Sequence, residues 1–179
     1  MNIYNLLYRT CKEISDSQVK KTLYISWVRS RLEYACQVWC PYTKRNIRAL
    51  EQVQRKATRF IVGKELSYYE RLKKLELLPL VYRREILDLI FFYKCLNGIC
   101  ELDISQHVSF VFIQLRNLRS TDNQTLSVPF SRTDAFKNSY FIRVCRLWNG
   151  LPLHVRESES LAVFRRKLYL LYNGKYSYE

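Results

Sequence analysis

Residues 43 to 63, TKRNIRALEQVQRKATRFIVG, decide the fold. Ile47, Leu50, Val53, Ala57, Phe60 and Ile61 recur at three-four spacing, so a helix of about 100° per residue gathers them on one face. Arg45, Arg48, Arg55, Lys56 and Arg59 then point to the opposite side. Thr43 stands where an N-cap hydroxyl can accept a free backbone N–H, and Gly63 where a helix ends on a residue without a Cβ. Arg45 and Arg59 are about 21 Å apart along such a helix, at roughly 1.5 Å per residue.

The same periodicity extends outward. Upstream, residues 16–39 read as one long helix beginning at Asp16 or Ser17, with Val19, Leu23, Trp27, Val28, Leu32, Ala35, Val38 and Trp39 at helical spacing and Pro41 as its stop. Trp27 and Trp39 are expected to be buried. Downstream, Ser67-x-x-Glu70 spells a capping box that opens a short helix ending near Leu77. Pro79 suits the first turn of a fourth helix, which Gly98 closes. Residues 86–96 are apolar on nearly every side, which places them at the centre of a core. Two more helices are expected over 138–148, ending at Asn149-Gly150 with Asn or Gly left-handed, and over 158–172, burying Leu161, Phe164, Leu168 and Leu171. Trp148 is expected to cap the core. Alternation over 107–115 fits a strand, or equally a short helix and loop. The fold class is therefore mainly α, a helical bundle with a short irregular or β segment around 107–130.

Composition agrees with a folded chain. Of 179 residues, 48% are hydrophobic and 15% aromatic, and only 4 Gly and 4 Pro interrupt them. The charge says more. Thirty Lys and Arg against sixteen Asp and Glu leave +14, which makes polyanions the natural partners. A membrane span is excluded, because the longest apolar stretch contains Asp88 and Lys94 and is too short. Residues 1–11 lack the apolar core of a signal peptide, so a nuclear or cytoplasmic location is expected. Six cysteines in an unsecreted chain read as free thiols. Cys36-x3-Cys40 and Cys95-x4-Cys100 could supply four zinc ligands, but the spacing is looser than a zinc ribbon and each cysteine lies in or beside an apolar helix pattern. Buried structural cysteines are the better reading; no metal or other cofactor is expected. His107 and His154 are the only histidines, and neither is spaced for a Cys100 or Ser158 nucleophile.

Read in order, several short motifs converge. Leu23-Tyr24 and Val28-Arg29-Ser30-Arg31-Leu32-Glu33-Tyr34-Ala35 lead into Val38-Trp39 and Pro41. Leu50-Glu51-x-Val53-Gln54-Arg55 and Thr58-Arg59 follow, then Tyr69-x-Arg71-Leu72-x-x-Leu75. Next come Arg83-Arg84, Asp88-Leu89 and Tyr93-Lys94-x-Leu96-Asn97-Gly98. Arg132-Thr133, Asn138-Ser139-Tyr140, Arg143, Trp148-Asn149-x-Leu151-Pro152 and Phe164-Arg165 close the series. This order resembles the region that follows the polymerase palm in reverse transcriptases of LINE-like (non-LTR, jockey-like) retrotransposons, which are RNA-directed DNA polymerases. The resemblance runs from about residue 20 to 172. It implies a thumb-like helical domain over residues 1–100 and a C-terminal helical extension packed on it over 101–179, or one domain comprising both. It implies a role in holding an RNA template or RNA–DNA hybrid for an upstream palm during target-primed reverse transcription.

The departure from that family is chemical. Polymerase chemistry needs clustered aspartates that hold two metal ions, and the family's paired-aspartate motif is missing. Asp16, Asp88, Asp103, Asp122 and Asp134 are never adjacent. No catalytic residue is carried over, and a truncated copy without enzyme activity of its own is expected.

The candidate nucleic-acid contacts are the basic face, Arg45, Arg48, Arg55, Lys56 and Arg59, with two further patches, Lys73-Lys74 and Arg83-Arg84. Arginine suits phosphate because its planar fork can donate two parallel hydrogen bonds. The bland alternative is a solvated face with Glu51 to neutralise it. Tyr68, Tyr69 and Tyr82 lie among the patches and could stack on bases, although tyrosines at helical spacing more often build core. Arg165-Arg166-Lys167 adds a supporting patch. Two other functions remain open from the residues: a helical interaction module that docks on the palm, and a domesticated DNA-binding protein using the second and third helices as a helix-turn-helix.

Overall fold

The structure, a computed structural model, describes residues 8–111 and 125–177. It is mainly α. The chain divides into two compact units, Met1–Arg84 and Glu85–Glu179.

In the first unit, helix α1 (Ser17–Leu23) starts where Asp16 accepts a 2.7 Å hydrogen bond from the backbone N–H of Gln18. The single long helix expected over 16–39 does not form. A π-helical stretch, Tyr24–Arg29, follows α1, and α2 (Ser30–Glu33) stops at Tyr34. Ala35 takes φ +49°, and α3 (Cys36–Trp39) sets off on a new axis. The side-chain hydroxyls of Thr22, Ser26 and Ser30 donate to the carbonyls of Gln18, Thr22 and Ser26. Such back-bonding competes with the backbone ladder and widens the turn, which shifts the inward face by one residue. Tyr24, Val28 and Cys36 are therefore buried, whereas Trp27, Val38 and Trp39 are exposed. The expectation that Trp27 and Trp39 lie inside is corrected.

Helix α4 (Lys44–Val62) has the bounds read from its caps: Thr43 accepts from the N–H of Asn46, and Gly63 ends it at φ +109°. Helix α5 (Tyr68–Lys74) carries the Ser67–Glu70 capping box. It ends three residues before Leu77, because Glu76 turns left-handed at φ +52° and the N–H of Leu77 returns to the carbonyl of Leu72. Leu72 and Leu77 are both buried, the apolar contact that accompanies this type of helix end.

A polar network lies inside this unit. Tyr24 Oη donates to Gln54 Oε1 at 2.8 Å, and Gln54 Nε2 donates to Tyr68 Oη at 3.1 Å and to the carbonyl of Leu78 at 3.0 Å. Tyr68 Oη in turn donates to Glu51, whose other oxygen accepts from the N–H of Leu80 at 3.1 Å.

Helix α6 (Leu80–Leu96) begins directly after Pro79 and is closed at Gly98, φ +65°. Its residues Ile86, Leu89, Phe92 and Tyr93 are core in the second unit. The remaining helices are α7 (Asp134–Lys137), α8 (Tyr140–Asn149), α9 (Leu153–Arg156) and α10 (Leu161–Ser177). Tyr93 stacks on Phe164 at 4.3 Å between ring centroids, and Phe92 meets Trp148 edge-on at 5.2 Å. Trp148 is buried, as its position at the end of an apolar face demands.

Gly150 ends α8 at φ −79°, and neither it nor Asn149 is left-handed. Asn149 has a different task. Its side-chain amide donates to the carbonyl of Leu126 and its oxygen accepts from the N–H of Leu126, both at 2.8 Å. Leu126 also forms an isolated antiparallel bridge with Phe110. Of the strand alternative over 107–115, this bridge is the described part; residues 112–115 lie outside the described residues.

Candidate nucleic-acid interface

The long helix α4 presents its basic side as its periodicity requires. Ala57 and Ile61 are buried with Gln54 and Thr58, while Arg45, Arg48, Lys56 and Arg59 are exposed and Arg55 is half-buried. Arg45, Arg48, Arg55 and Arg59 make no ion pair among the described residues. The carboxylates of α4 and α5, Glu51 and Glu70, make their hydrogen bonds elsewhere, although Glu51 still feels the charge of Arg55. Glu51 turns inward to Tyr68 and Leu80, where burial raises its pKa above the ordinary carboxylate value. Glu70 folds back on the N–H of Ser67 at 2.7 Å, and these cap hydrogen bonds lower its pKa. Glu76 faces Lys21 at 3.9 Å.

The row is not flat. At its C-terminal half, Gln52, Arg55, Lys56 and Arg59 join Arg71 of α5 around a cavity of about 300 Å³. Arg71 was not among the residues expected from sequence, and it is the most deeply set of these cations, 5% exposed. Its Nε donates to Thr58 Oγ1 at 3.3 Å and its Nη1 to the carbonyl of Leu66 at 2.6 Å. Both acceptors are neutral. Burial lowers its pKa most, and the neighbouring charge of Arg59 lowers it further. The guanidinium of Arg55 lies 4.2 Å from the centre of the Tyr68 ring, which fixes one wall of the cavity. A signal for Arg71 was present in the periodicity: Tyr68, Arg71 and Leu72 of α5, with Leu75 just after it, follow three-four spacing, and all are buried.

Other expected contacts are distributed differently. Lys73 and Lys74 are exposed at the end of α5. Arg83 and Arg84 form no solvent-facing patch. Arg83 closes its fork on Glu33 with two 2.9 Å bonds, and Arg84 is 3% exposed beside Glu51. Adjacent residues on a helix point about 100° apart, so a sequence pair need not share a surface. Of the tyrosines, Tyr68 is buried, Tyr82 half-buried and Tyr69 exposed. In the second unit Arg165 and Arg166 are exposed, whereas Lys167 donates to the carbonyl of His154 at 2.5 Å. His107 stacks on Phe141 at 4.3 Å.

None of the six cysteines is in a disulfide, and four of them are buried. Among the described residues no group of three or more His, Cys, Asp or Glu is placed to hold a metal ion, and no helix is long and apolar enough to cross a membrane. Compared with known proteins, the chain matches no family model, no curated protein and no solved structure.

Proposed function

We propose that this chain is a non-catalytic, nucleic-acid-binding part of a retrotransposon reverse transcriptase, gripping RNA template or RNA–DNA hybrid through the basic side of α4. One observation carries the binding: Arg55, Lys56, Arg59 and Arg71 converge on one cavity lined by no carboxylate. Like charges so arranged repel one another, and an anion between them relieves the repulsion. Arg45 and Arg48 extend the positive row along the helix toward further phosphates. The link to a reverse transcriptase is supported by the ordered motifs alone.

Binding of a short RNA–DNA hybrid, measured from 50 to 300 mM salt, tests the proposal. Each phosphate contacted contributes about 0.7 to 0.9 to the slope of log K against log salt. Replacing Arg45, Arg48 and Arg59 together by Gln is expected to flatten the slope by about 2. These side chains are exposed and unpaired, so the fold tolerates the change. An unaltered slope would show that the phosphates lie elsewhere.

A second reading is favoured by a separate feature. Tyr34 and Val38 are 79% and 88% exposed, with Trp27, Trp39 and Tyr42 exposed beside them in sequence. Bare aromatic surface of this kind suits docking on another protein domain, such as an upstream palm. Gel filtration separates the readings: a monomer that binds RNA supports the first, and a self-associating chain that ignores RNA supports the second.

A further inference from the structure

We propose that the cavity between α4 and α5 is a pocket for a terminal phosphate, a phosphomonoester at the end of a nucleic-acid strand, with Arg71 as its floor. The strand is taken from the function proposed above; the end group follows from the pocket itself.

Charge is the first argument. A phosphodiester inside a strand carries one negative charge, whereas a phosphomonoester carries about 1.5 to 2 at neutral pH, its second pKa being about 6. Three guanidinium groups and one ammonium border the cavity, more charge than a single diester balances. Shape is the second. A diester has two ester arms that must both leave the pocket, and the exposed, unpaired Arg45 and Arg48 suit such a passing backbone better. A monoester has one arm, so its three remaining oxygens can enter a recess.

Arg71 supplies the third argument. A buried arginine is ordinarily matched by a carboxylate, because leaving an unpaired charge inside is costly. In this unit Arg83 obeys that rule through Glu33, but among the described residues Arg71 donates only to Thr58 and the carbonyl of Leu66. Arg71 is one of the residues that line the cavity. Those two bonds hold the guanidinium in place before any ligand arrives, as does the ring of Tyr68, 5.9 Å away. The rim then adds the mobile charges. Arg59 is exposed and can close over the oxygens, while Arg55 is held against Tyr68. Gln52 contributes a neutral donor at the edge.

The test compares three ten-nucleotide RNAs of one sequence, ending in a 5′-hydroxyl, a 5′-phosphate or a 3′-phosphate, bound to the full chain at pH 7.5. At least one phosphorylated strand is expected to bind about tenfold tighter than the hydroxyl-ended one, the size of a single well-made charged hydrogen bond. Which strand gains identifies the end that is read. Millimolar inorganic phosphate should remove that advantage. In Arg71→Lys the ratio of affinities should fall to about one, because an ammonium cannot reproduce the fork. Arg59→Gln, at an exposed position, should lower the same ratio if Arg71→Lys does not fold. Tight binding of all three strands with a wild-type ratio of one overturns the terminal-phosphate pocket and leaves the nucleic-acid function standing. Failure to bind any strand overturns both. A preference that survives in both variants places the end group outside this cavity.

Discussion

The hydroxyl of Tyr24 donates to Oε1 of Gln54 at 2.8 Å, joining the π-helical stretch to the middle of α4 across thirty residues of sequence. Both side chains are fully buried. The basic side of α4 faces outward because its other side is pinned in this way, so the network fixes the rotation of the helix about its own axis. Gln54 is the branch point of the network, accepting from Tyr24 while donating to both Tyr68 and the carbonyl of Leu78.

Gln54→Leu should therefore be severe. The substitution keeps the volume roughly constant but strands the Tyr24 hydroxyl and the Leu78 carbonyl without partners. Each stranded group costs about 1–3 kcal/mol, so a loss of roughly 2–6 kcal/mol is expected. Urea unfolding measures it. A midpoint unchanged from wild type would mean that the buried amide carries no structural weight.

Glu33 and Arg83 make a second test, of structure against binding. Their two-pronged pair is part-buried, each side chain 13% exposed, so it should exceed an exposed surface pair. A double-mutant cycle with Glu33→Gln and Arg83→Met should return a coupling of about 1–2 kcal/mol in stability. Arg83→Met should leave the salt slope of RNA binding as it was. A reduced slope would return Arg83 to the interface.

How far these features could be read from residues depends on the range of the interaction. The bounds of α4 and the capping box of α5 were legible because each is written within four residues: Thr43 with Asn46, Ser67 with Glu70. The basic row was legible for the same reason, being a matter of one helix's period. The period of α5 places Arg71 on its apolar side, but that it shares a cavity with Arg55 and Arg59 is visible only once α4 is placed beside it. Adjacency makes Arg83 and Arg84 look like one patch, yet the partner of Arg83, Glu33, lies fifty residues away. The interrupted first helix hid behind apolar spacing that continues through the break; the hydroxyl ladder of Thr22, Ser26 and Ser30 was the sign against it. Asn149 looked like a helix terminator because Leu126, its actual partner, is twenty-three residues upstream.

Alkaline pH should destabilise the fold. Burial pushes the hydroxyls of Tyr24, Tyr68 and Tyr140 far above the usual tyrosine value, and lifts the Cys95 thiol to about 11. The folded chain thus keeps protons that the unfolded chain gives up, so unfolding releases protons and stability falls as pH rises. The decline starts near pH 9, where an unfolded Cys95 ionises, and steepens above pH 10 as unfolded tyrosines follow. Each group that stays protonated in the fold contributes at most roughly 1.4 kcal/mol per pH unit. Urea midpoints at pH 8, 9, 10 and 11 should fall progressively, and Tyr24→Phe should make the fall shallower. Equal midpoints at pH 8 and pH 11 would contradict the burial of these groups.

Helices α5 and α6 end in the same way, with different residues at the left-handed position. After α5, Glu76 has φ +52°, with Glu76 N–H to the Lys73 carbonyl at 3.1 Å and Leu77 N–H to the Leu72 carbonyl at 2.9 Å. After α6, Gly98 has φ +65°, with its N–H to the Cys95 carbonyl at 3.3 Å and Ile99 N–H to the Lys94 carbonyl at 2.9 Å. A Cβ in this conformation costs about 1–2 kcal/mol, partly offset by the greater freedom of glycine when unfolded. Glu76→Gly should accordingly raise stability by about 0.5–1 kcal/mol, since the 3.9 Å pair with Lys21 that it removes is highly exposed on the glutamate side and worth little. Gly98→Ala should lower stability by about 1 kcal/mol, and from backbone strain alone, because among the described residues nothing beyond its chain neighbours lies within 4 Å of the added Cβ. Opposite shifts in the thermal midpoints of the two variants are the expected result. If both fall, Glu76 holds its place through its side chain rather than in spite of its backbone.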